Sequence, residues 1–204
     1  MAAEEQPALL AYLASEGKPE DRQQLIAGKF WNRKMQDGRS DEAMLELIEA
    51  IRVMRRTGAK ISVFAMDMND SQYPVALSSN EPYWQGQRDL LMAANAETRF
   101  HQYPASTFLL LVGNYHSDKV ADTQGDDVRH PMAELLSHHM PVQNIDFSTA
   151  GGEAWICGGP SPEKAVCGPH TRRAQSSMSG SDYDFVIPLG RITASPPAAE
   201  AAGK

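Results

Sequence analysis

Apolar and polar residues follow helical spacing through the first third of the chain. Residues 7–17 and 20–31 predict two short helices. A longer helix follows Ser40, whose hydroxyl is the expected N-cap, and ends at Gly58. Its apolar residues recur at the i, i+3, i+4, i+7 spacing of one buried face, namely Met44, Leu47, Ile48, Ile51 and Met54. The N-terminal region is therefore predicted to be helical.

The remainder of the chain alternates short β-branched and aromatic runs with helical segments. The runs predict strands at 60–67, 107–112, 142–147 and 183–189. The helical segments lie at 86–102 and 131–139. Because helices and strands alternate, the sequence predicts an α/β fold, a three-layer domain with a small, mostly parallel sheet.

The length of 204 residues predicts one domain, since most domains contain about 50 to 250 residues. We place this domain at residues 1–190. Within it, residues 158–182 are rich in Gly, Ser and Pro and predict a long loop. Residues 191–204 are dominated by Pro, Ala and Gly and predict a disordered tail.

Charge and hydrophobicity narrow the function classes. The chain is 42% hydrophobic and carries a net charge of −7 without basic clusters, which argues against nucleic-acid binding. No apolar run reaches the roughly 20 residues of a transmembrane helix. The acidic N-terminus does not resemble a signal peptide, so we expect a cytoplasmic protein, or an exported one if the true N-terminus is missing.

The two cysteines, Cys157 and Cys167, lie close together in the sequence. A disulfide between them would close a small Gly- and Pro-rich loop and would suit an oxidising compartment. The missing signal peptide favours two free thiols instead. A zinc site that adds His170 has less support, because the sequence contains no C-x2-C pair. The disulfide and the free thiols both remain open.

Polar residues follow two of the predicted strands at the point where ligand sites form in α/β sheets. Asp67 ends the first strand, and His116 lies just beyond the second. Arg88 and Asp89 lie between them, at the start of a predicted helix. A histidine in this position can be a general base, a metal ligand or a loop residue without a role. An Arg-Asp sequence at a helix start is more often a salt bridge or cap than a catalytic pair.

Five segments occur in an order that resembles a known superfamily. They are FW at 30–31, DGRSDEAM at 37–44, GAKISVFAMD at 58–67, QRDLLMAAN at 87–95 and LLLVGNYHS at 109–117. Together they resemble the later part of the haem-uptake/Tiki-like superfamily, which includes erythromycin-esterase-like hydrolases, TraB/GumN proteins and ChaN-type haem-binding lipoproteins. GGEAWIC at 151–157 and CG at 167–168 are similar to an extension of some bacterial members.

The resemblance implies a hydrolase-like protein that acts on an ester or amide bond of a small-molecule or peptide substrate. Arg88 matches the Arg of the family's "RD" motif and would stabilise developing negative charge. His116 matches the family's C-terminal His and would be a base or the ligand of a divalent metal that activates water. Asp67 would orient one of these two groups.

The chain also departs from the family pattern. The N-terminal Gly-Glu-x-His motif does not occur, so the domain is expected to lack the family's first βα units. Two alternatives follow from the resemblance, a non-catalytic protein that binds haem or another ligand, and an inactive truncated homologue. An exposed sheet edge left by the missing units would favour a homodimer.

Overall fold

The structure is a computed structural model, and it describes residues 1–33, 36–68, 81–124, 127–159, 164–175 and 183–201. The chain divides into two compact units, and the single domain expected from its length stays a prediction. Unit 1 contains residues 1–65, 149–175 and 189–204, and unit 2 contains residues 66–148 and 176–188. The physical reason is that the buried apolar side chains form two separate clusters, one in each unit.

Three N-terminal helices build the core of unit 1. They are α1 (Gln6–Ala14), α2 (Pro19–Ile26) and α3 (Glu42–Arg56). Their buried side chains form one cluster, made of Leu9, Tyr12, Leu13, Leu25, Ile26, Trp31, Leu45, Ile48 and Ala198. The helices predicted from apolar spacing are therefore present.

The N-cap of α3 differs from the predicted residue. The carboxylate of Asp41 accepts a hydrogen bond from the backbone N–H of Met44 at 2.8 Å, as an N-cap side chain does. Ser40 lies one position earlier, and its hydroxyl donates to the side chain of Gln36 at 2.6 Å. Asp41 replaces Ser40 as the cap because its side chain reaches the free N–H groups of the first turn.

The predicted strand at 60–67 is extended but is not part of a sheet among the described residues. The side chain of Gln6 takes the place of a neighbouring strand in unit 1. Its amide donates to the carbonyl of Val63 at 3.1 Å, and its amide oxygen accepts from the N–H of Ala65 at 2.6 Å. The strand predicted at 60–67 is therefore wrong, because the described residues provide no neighbouring strand and a glutamine side chain bonds to Val63 and Ala65 instead.

Unit 1 also contains an antiparallel hairpin. Strands β4 (Gly152–Gly158) and β5 (Val166–Arg172) pair over their whole length, and Cys157 lies opposite Cys167. The two cysteines form a disulfide. A long loop was predicted for residues 158–182, but β5 lies within it. Residues 160–163 and 176–182 of this loop lie outside the described residues.

The segment predicted to be a disordered tail packs into unit 1. The N–H of Ala198 donates to the carbonyl of Ser40 at 3.1 Å, and the N–H of Glu42 donates to the carbonyl of Pro196 at 2.9 Å. Ala198 is completely buried and starts a short helix, α7 (Ala198–Ala201). The Pro and Ala side chains, which suggested disorder, are small enough to fit against the start of α3. Residues 202–204 lie outside the described residues.

Unit 2 has its own helical core. The helices are α4 (Glu81–Gln102), α5 (Asn114–Ser117) and α6 (Met132–Ser137). The buried side chains come from α4 and α6 and comprise Met92, Ala93, Ala96, Met132 and Leu136. Leu110 and Val112 pack against this cluster, whereas Leu111 between them is 59% exposed. Residues 107–112 therefore alternate like a strand because one side covers the helices, and the described residues show no strand paired with them.

The strands outside this helical core form small sheets. Strand β3 (Ile145–Thr149) pairs with β6 (Phe185–Leu189) in a two-stranded parallel sheet. A short antiparallel pair, β1 (Asp122–Gln124) and β2 (Asp127–Arg129), lies before α6. The predicted α/β fold class is confirmed, with antiparallel pairs that the sequence did not predict. All five residues of β6 are exposed, and dimerisation along such an edge stays a prediction.

Candidate functional site

All three residues that the sequence nominates for chemistry lie in unit 2. Asp67 follows the extended segment, Arg88 lies on α4, and His116 lies on α5. The structure adds Asp89, the next residue of α4 after Arg88, because its side chain faces His116. Two acid–base pairs therefore start from neighbouring positions of the same helix.

The first pair joins Arg88 to Asp67. The Nε and Nη2 atoms of Arg88 donate to the two carboxylate oxygens of Asp67 at 2.8 and 2.6 Å, a bidentate geometry. The backbone N–H of Met68 donates to the same carboxylate at 2.9 Å. Burial raises the pKa of the Asp67 carboxyl, but the hydrogen bonds and charge of Arg88 outweigh it, so the pKa lies below its usual value. Asp67 thus fixes the plane of the Arg88 guanidinium, and the described part of the chain shows no hydrogen bond between Asp67 and His116.

The second pair is centred on Asp89, whose side chain is completely buried. Its Oδ1 lies 2.7 Å from Nδ1 of His116 and accepts the backbone N–H of Met132 at 3.0 Å. Its Oδ2 accepts two hydrogen bonds from Arg129, at 2.8 Å from Nη2 and 3.2 Å from Nε. A buried carboxylate needs such donors to replace water. Asp89 therefore links α4 to α5, to the end of β2 and to the start of α6.

The short helix α5 determines where His116 points. Gly113 precedes the helix in an extended conformation, and its carbonyl accepts the N–H of His116 at 2.9 Å. The side chain of Asn114 accepts the N–H of Tyr115 at 3.0 Å, which holds the first turn. The G-N-Y-H sequence thus forms one helical turn that projects the imidazole toward Asp89.

The contact with Asp89 also determines the hydrogen position on the imidazole. An ionised carboxylate can only accept, so Nδ1 of a neutral His116 carries the hydrogen and Nε2 keeps its lone pair. Nε2 makes no hydrogen bond with the described residues, and the side chain retains 12% of its accessible surface. The arrangement suits His116 as a proton acceptor at Nε2.

Comparisons with family models, with curated proteins and with solved structures find no match to this chain. The superfamily resemblance of the sequence motifs is therefore a hypothesis, and the assignment of a chemical role depends on the geometry of unit 2.

Metal binding has no preformed site in the part of the chain that the structure describes. No three His, Cys, Asp or Glu side chains there are arranged to hold a metal ion. The zinc alternative that combined Cys157, Cys167 and His170 does not apply, because both sulfurs are in the disulfide. Among the described residues, no helix has the length and apolar character to cross a membrane.

Sequence reasoning treated Asp89 as a structural residue and did not consider Arg129. The separation along the chain explains this, because Asp89 is 27 residues from His116 and 40 from Arg129. The available signal was the pair of consecutive charges at 88 and 89 on a helix with an apolar core face. An acid next to that face has to be paired when it is buried.

Proposed function

We propose that the chain is a hydrolase that acts on an ester or amide bond, with His116 as the general base. One observation carries the proposal. The completely buried carboxylate of Asp89 lies 2.7 Å from Nδ1 of a partly accessible histidine. An oriented, carboxylate-paired imidazole with an available Nε2 is the arrangement that hydrolases use to activate water or a hydroxyl group. The resemblance of the motifs around 87–95 and 109–117 to a superfamily with hydrolase members supports the same reaction class.

In the proposed reaction, Nε2 of His116 accepts a proton from water while the water oxygen bonds to the carbonyl carbon. Asp89 accepts a hydrogen bond from Nδ1–H, which stays on the imidazole, and its negative charge stabilises the imidazolium that forms. The carbonyl oxygen becomes an oxyanion. When the bond between the carbonyl carbon and the leaving oxygen or nitrogen breaks, the proton on Nε2 passes to that leaving atom. The products are a carboxylic acid and an alcohol or amine.

Arg88 is the proposed source of positive charge for the oxyanion. Its guanidinium is held in one plane by the bidentate contact with Asp67, so it does not have to reorient during the reaction. Arg88 and Asp89 are consecutive on α4, so the same turn of helix supports both the charge and the base.

Hydrolysis of a panel of 4-nitrophenyl esters and acyl anilides tests the proposal. We expect His116→Ala to lower the rate by at least about 100-fold, the usual contribution of a positioned base. Asp89→Asn should also lower the rate, because its amide can present a donor to Nδ1 and favour the wrong tautomer.

The matched control is His101→Ala. His101 is also a histidine beside a carboxylate in unit 2, 3.6 Å from Glu97, but its side chain is 70% exposed. This variant should keep the wild-type rate. The proposal fails if no substrate in the panel is cleaved above the buffer rate, or if His116→Ala cleaves as fast as the wild type.

A further inference from the structure

We propose that Arg129 is a positioning residue that holds the Asp89–His116 pair together from both ends. The inference rests on the proposed function, because it concerns how the proposed base is kept in place. Arg129 contacts neither the proposed water nor Nε2 of His116 in the described contacts, so its action is through Asp89 and the α5 backbone.

The contacts of one guanidinium group carry the inference. Arg129 donates twice to Oδ2 of Asp89, and its Nη2 also donates to the backbone carbonyl of Tyr115 at 3.0 Å. Tyr115 directly precedes His116, and its ring lies against the Arg129 guanidinium. Arg129 therefore forms hydrogen bonds both with the Asp89 carboxylate and with the backbone of the residue that precedes His116. The distance between Asp89 and His116 is fixed by a third, planar group.

Burial makes this role necessary. Asp89 is completely buried and Arg129 is 8% exposed, so without the guanidinium the carboxylate would keep a negative charge that water cannot reach. The only other charge-bearing partner of Asp89 among its described contacts is His116. Loss of Arg129 should therefore draw a proton onto His116 or let the Asp89 side chain turn away. In the first case Nε2 loses its free lone pair. In the second case Nε2 keeps the lone pair, but the imidazole is no longer held in the correct orientation.

Two variants separate charge from geometry. Arg129→Met removes the charge and all three hydrogen bonds, while Arg129→Lys keeps the charge on a single ammonium that cannot reproduce the planar fork. The matched control is Arg52→Met in unit 1. Arg52 is 6% exposed, is bidentate with Glu49 at 2.7 Å for both contacts, and donates to the carbonyl of Ser15 at 3.1 Å. It has the same chemistry at a place remote in the sequence from the proposed base.

The decisive measurement is the nitrogen-15 NMR spectrum of the His116 imidazole at neutral pH, which reports the tautomer without requiring turnover. The wild type and Arg52→Met should show the Nδ1–H tautomer. Arg129→Met should show imidazolium or a mixture of tautomers. Arg129→Lys should keep mostly Nδ1–H with faster exchange of that hydrogen with water. On a cleaved ester we expect kcat to fall about 100-fold in Arg129→Met, with KM nearly unchanged.

The outcomes are separable from those of the proposed function. If no ester is cleaved but Arg129→Met changes the His116 tautomer, the positioning inference stands and the hydrolase proposal fails. The inference is overturned if Arg129→Met folds and keeps the wild-type His116 spectrum. It is equally overturned if Arg52→Met changes that spectrum as much as Arg129→Met does. If Arg129→Met does not fold, Arg129→Lys decides, and a wild-type exchange rate in that variant contradicts the inference.

Discussion

The Asp67–Arg88 pair gives the folded protein a pH-dependent stability. Burial raises the pKa of Asp67, but the hydrogen bonds and charge of Arg88 outweigh it, so the folded pKa lies below the value of about 3.9 expected in the unfolded chain. A lowered pKa means that the unfolded chain binds the proton more tightly. The stabilising contribution is therefore complete well above pH 4 and is lost as the pH falls through the folded pKa.

Asp67→Asn should therefore destabilise the protein more at neutral than at acid pH. We expect a loss of about 1–3 kcal/mol at pH 7, where the variant replaces a charged bidentate acceptor with a neutral one. Near pH 3 the difference from the wild type should be smaller. Urea unfolding at both pH values measures it. Glu46→Gln is the control, because it makes the matching change from acid to amide at an exposed position of α3. An equal loss for Asp67→Asn at both pH values would contradict the assignment.

The sequence nominates individual residues from their place in a local element, but it does not identify the partners that tertiary contacts bring to them. The sequence nominates Arg88 and His116 from their positions near the predicted helix start at 86 and just beyond a predicted strand, although α4 begins earlier, at Glu81. Asp89 and Arg129 meet only because α4 and the end of β2 come together in unit 2. The sequence also could not show that Asp67 pairs with Arg88. The apolar pattern determines neither the rotation of α4 about its axis nor the path of residues 60–67.

At the scale of elements, periodicity predicted the helices because a helix satisfies its own backbone hydrogen bonds. The spacing of apolar residues is then sufficient information, as α3 shows. A strand needs a partner that the local pattern does not identify. Two segments have the composition of strands, residues 60–67 and residues 107–112. The first is hydrogen-bonded by the side chain of Gln6, and the second packs one side against the apolar cluster of α4 and α6.

Gln6→Ala tests whether a side chain replaces a strand at residues 63–65. The variant removes a donor to Val63 and an acceptor for Ala65, so we expect a loss of about 1–3 kcal/mol in the free energy of unfolding. Hydrogen exchange at the N–H of Ala65 should become faster. Gln24→Ala is the matched control, since Gln24 is an exposed glutamine on α2. Unchanged exchange at Ala65 in Gln6→Ala would mean that another group satisfies this backbone.

At the scale of the whole molecule, each of the two units has its own cluster of buried apolar side chains. The cluster around Trp31 and Leu45 belongs to unit 1, and the cluster around Met92 and Leu136 belongs to unit 2. The disulfide lies in the hairpin of unit 1, while Asp89, His116 and Arg129 lie in unit 2. Composition and length gave no sign of this division, because they report total apolar content and not how it is partitioned.

This division predicts that the two units respond separately to damage of their cores. Replacing both Cys157 and Cys167 with Ser should destabilise unit 1 by about 2–3 kcal/mol, the loop entropy of a disulfide that closes a short loop. Leu136→Ala should destabilise unit 2 by about 2–5 kcal/mol, because it leaves a cavity at a buried position.

Hydrogen exchange read by mass spectrometry of peptides from each unit measures both effects. The Cys variant should lose protection in residues 1–65 and keep it in α4 and α6, while Leu136→Ala should show the reverse. Equal loss of protection in both units for either variant would mean that they unfold as one cooperative body, and the proposed hydrolase chemistry in unit 2 would then depend on the disulfide as well.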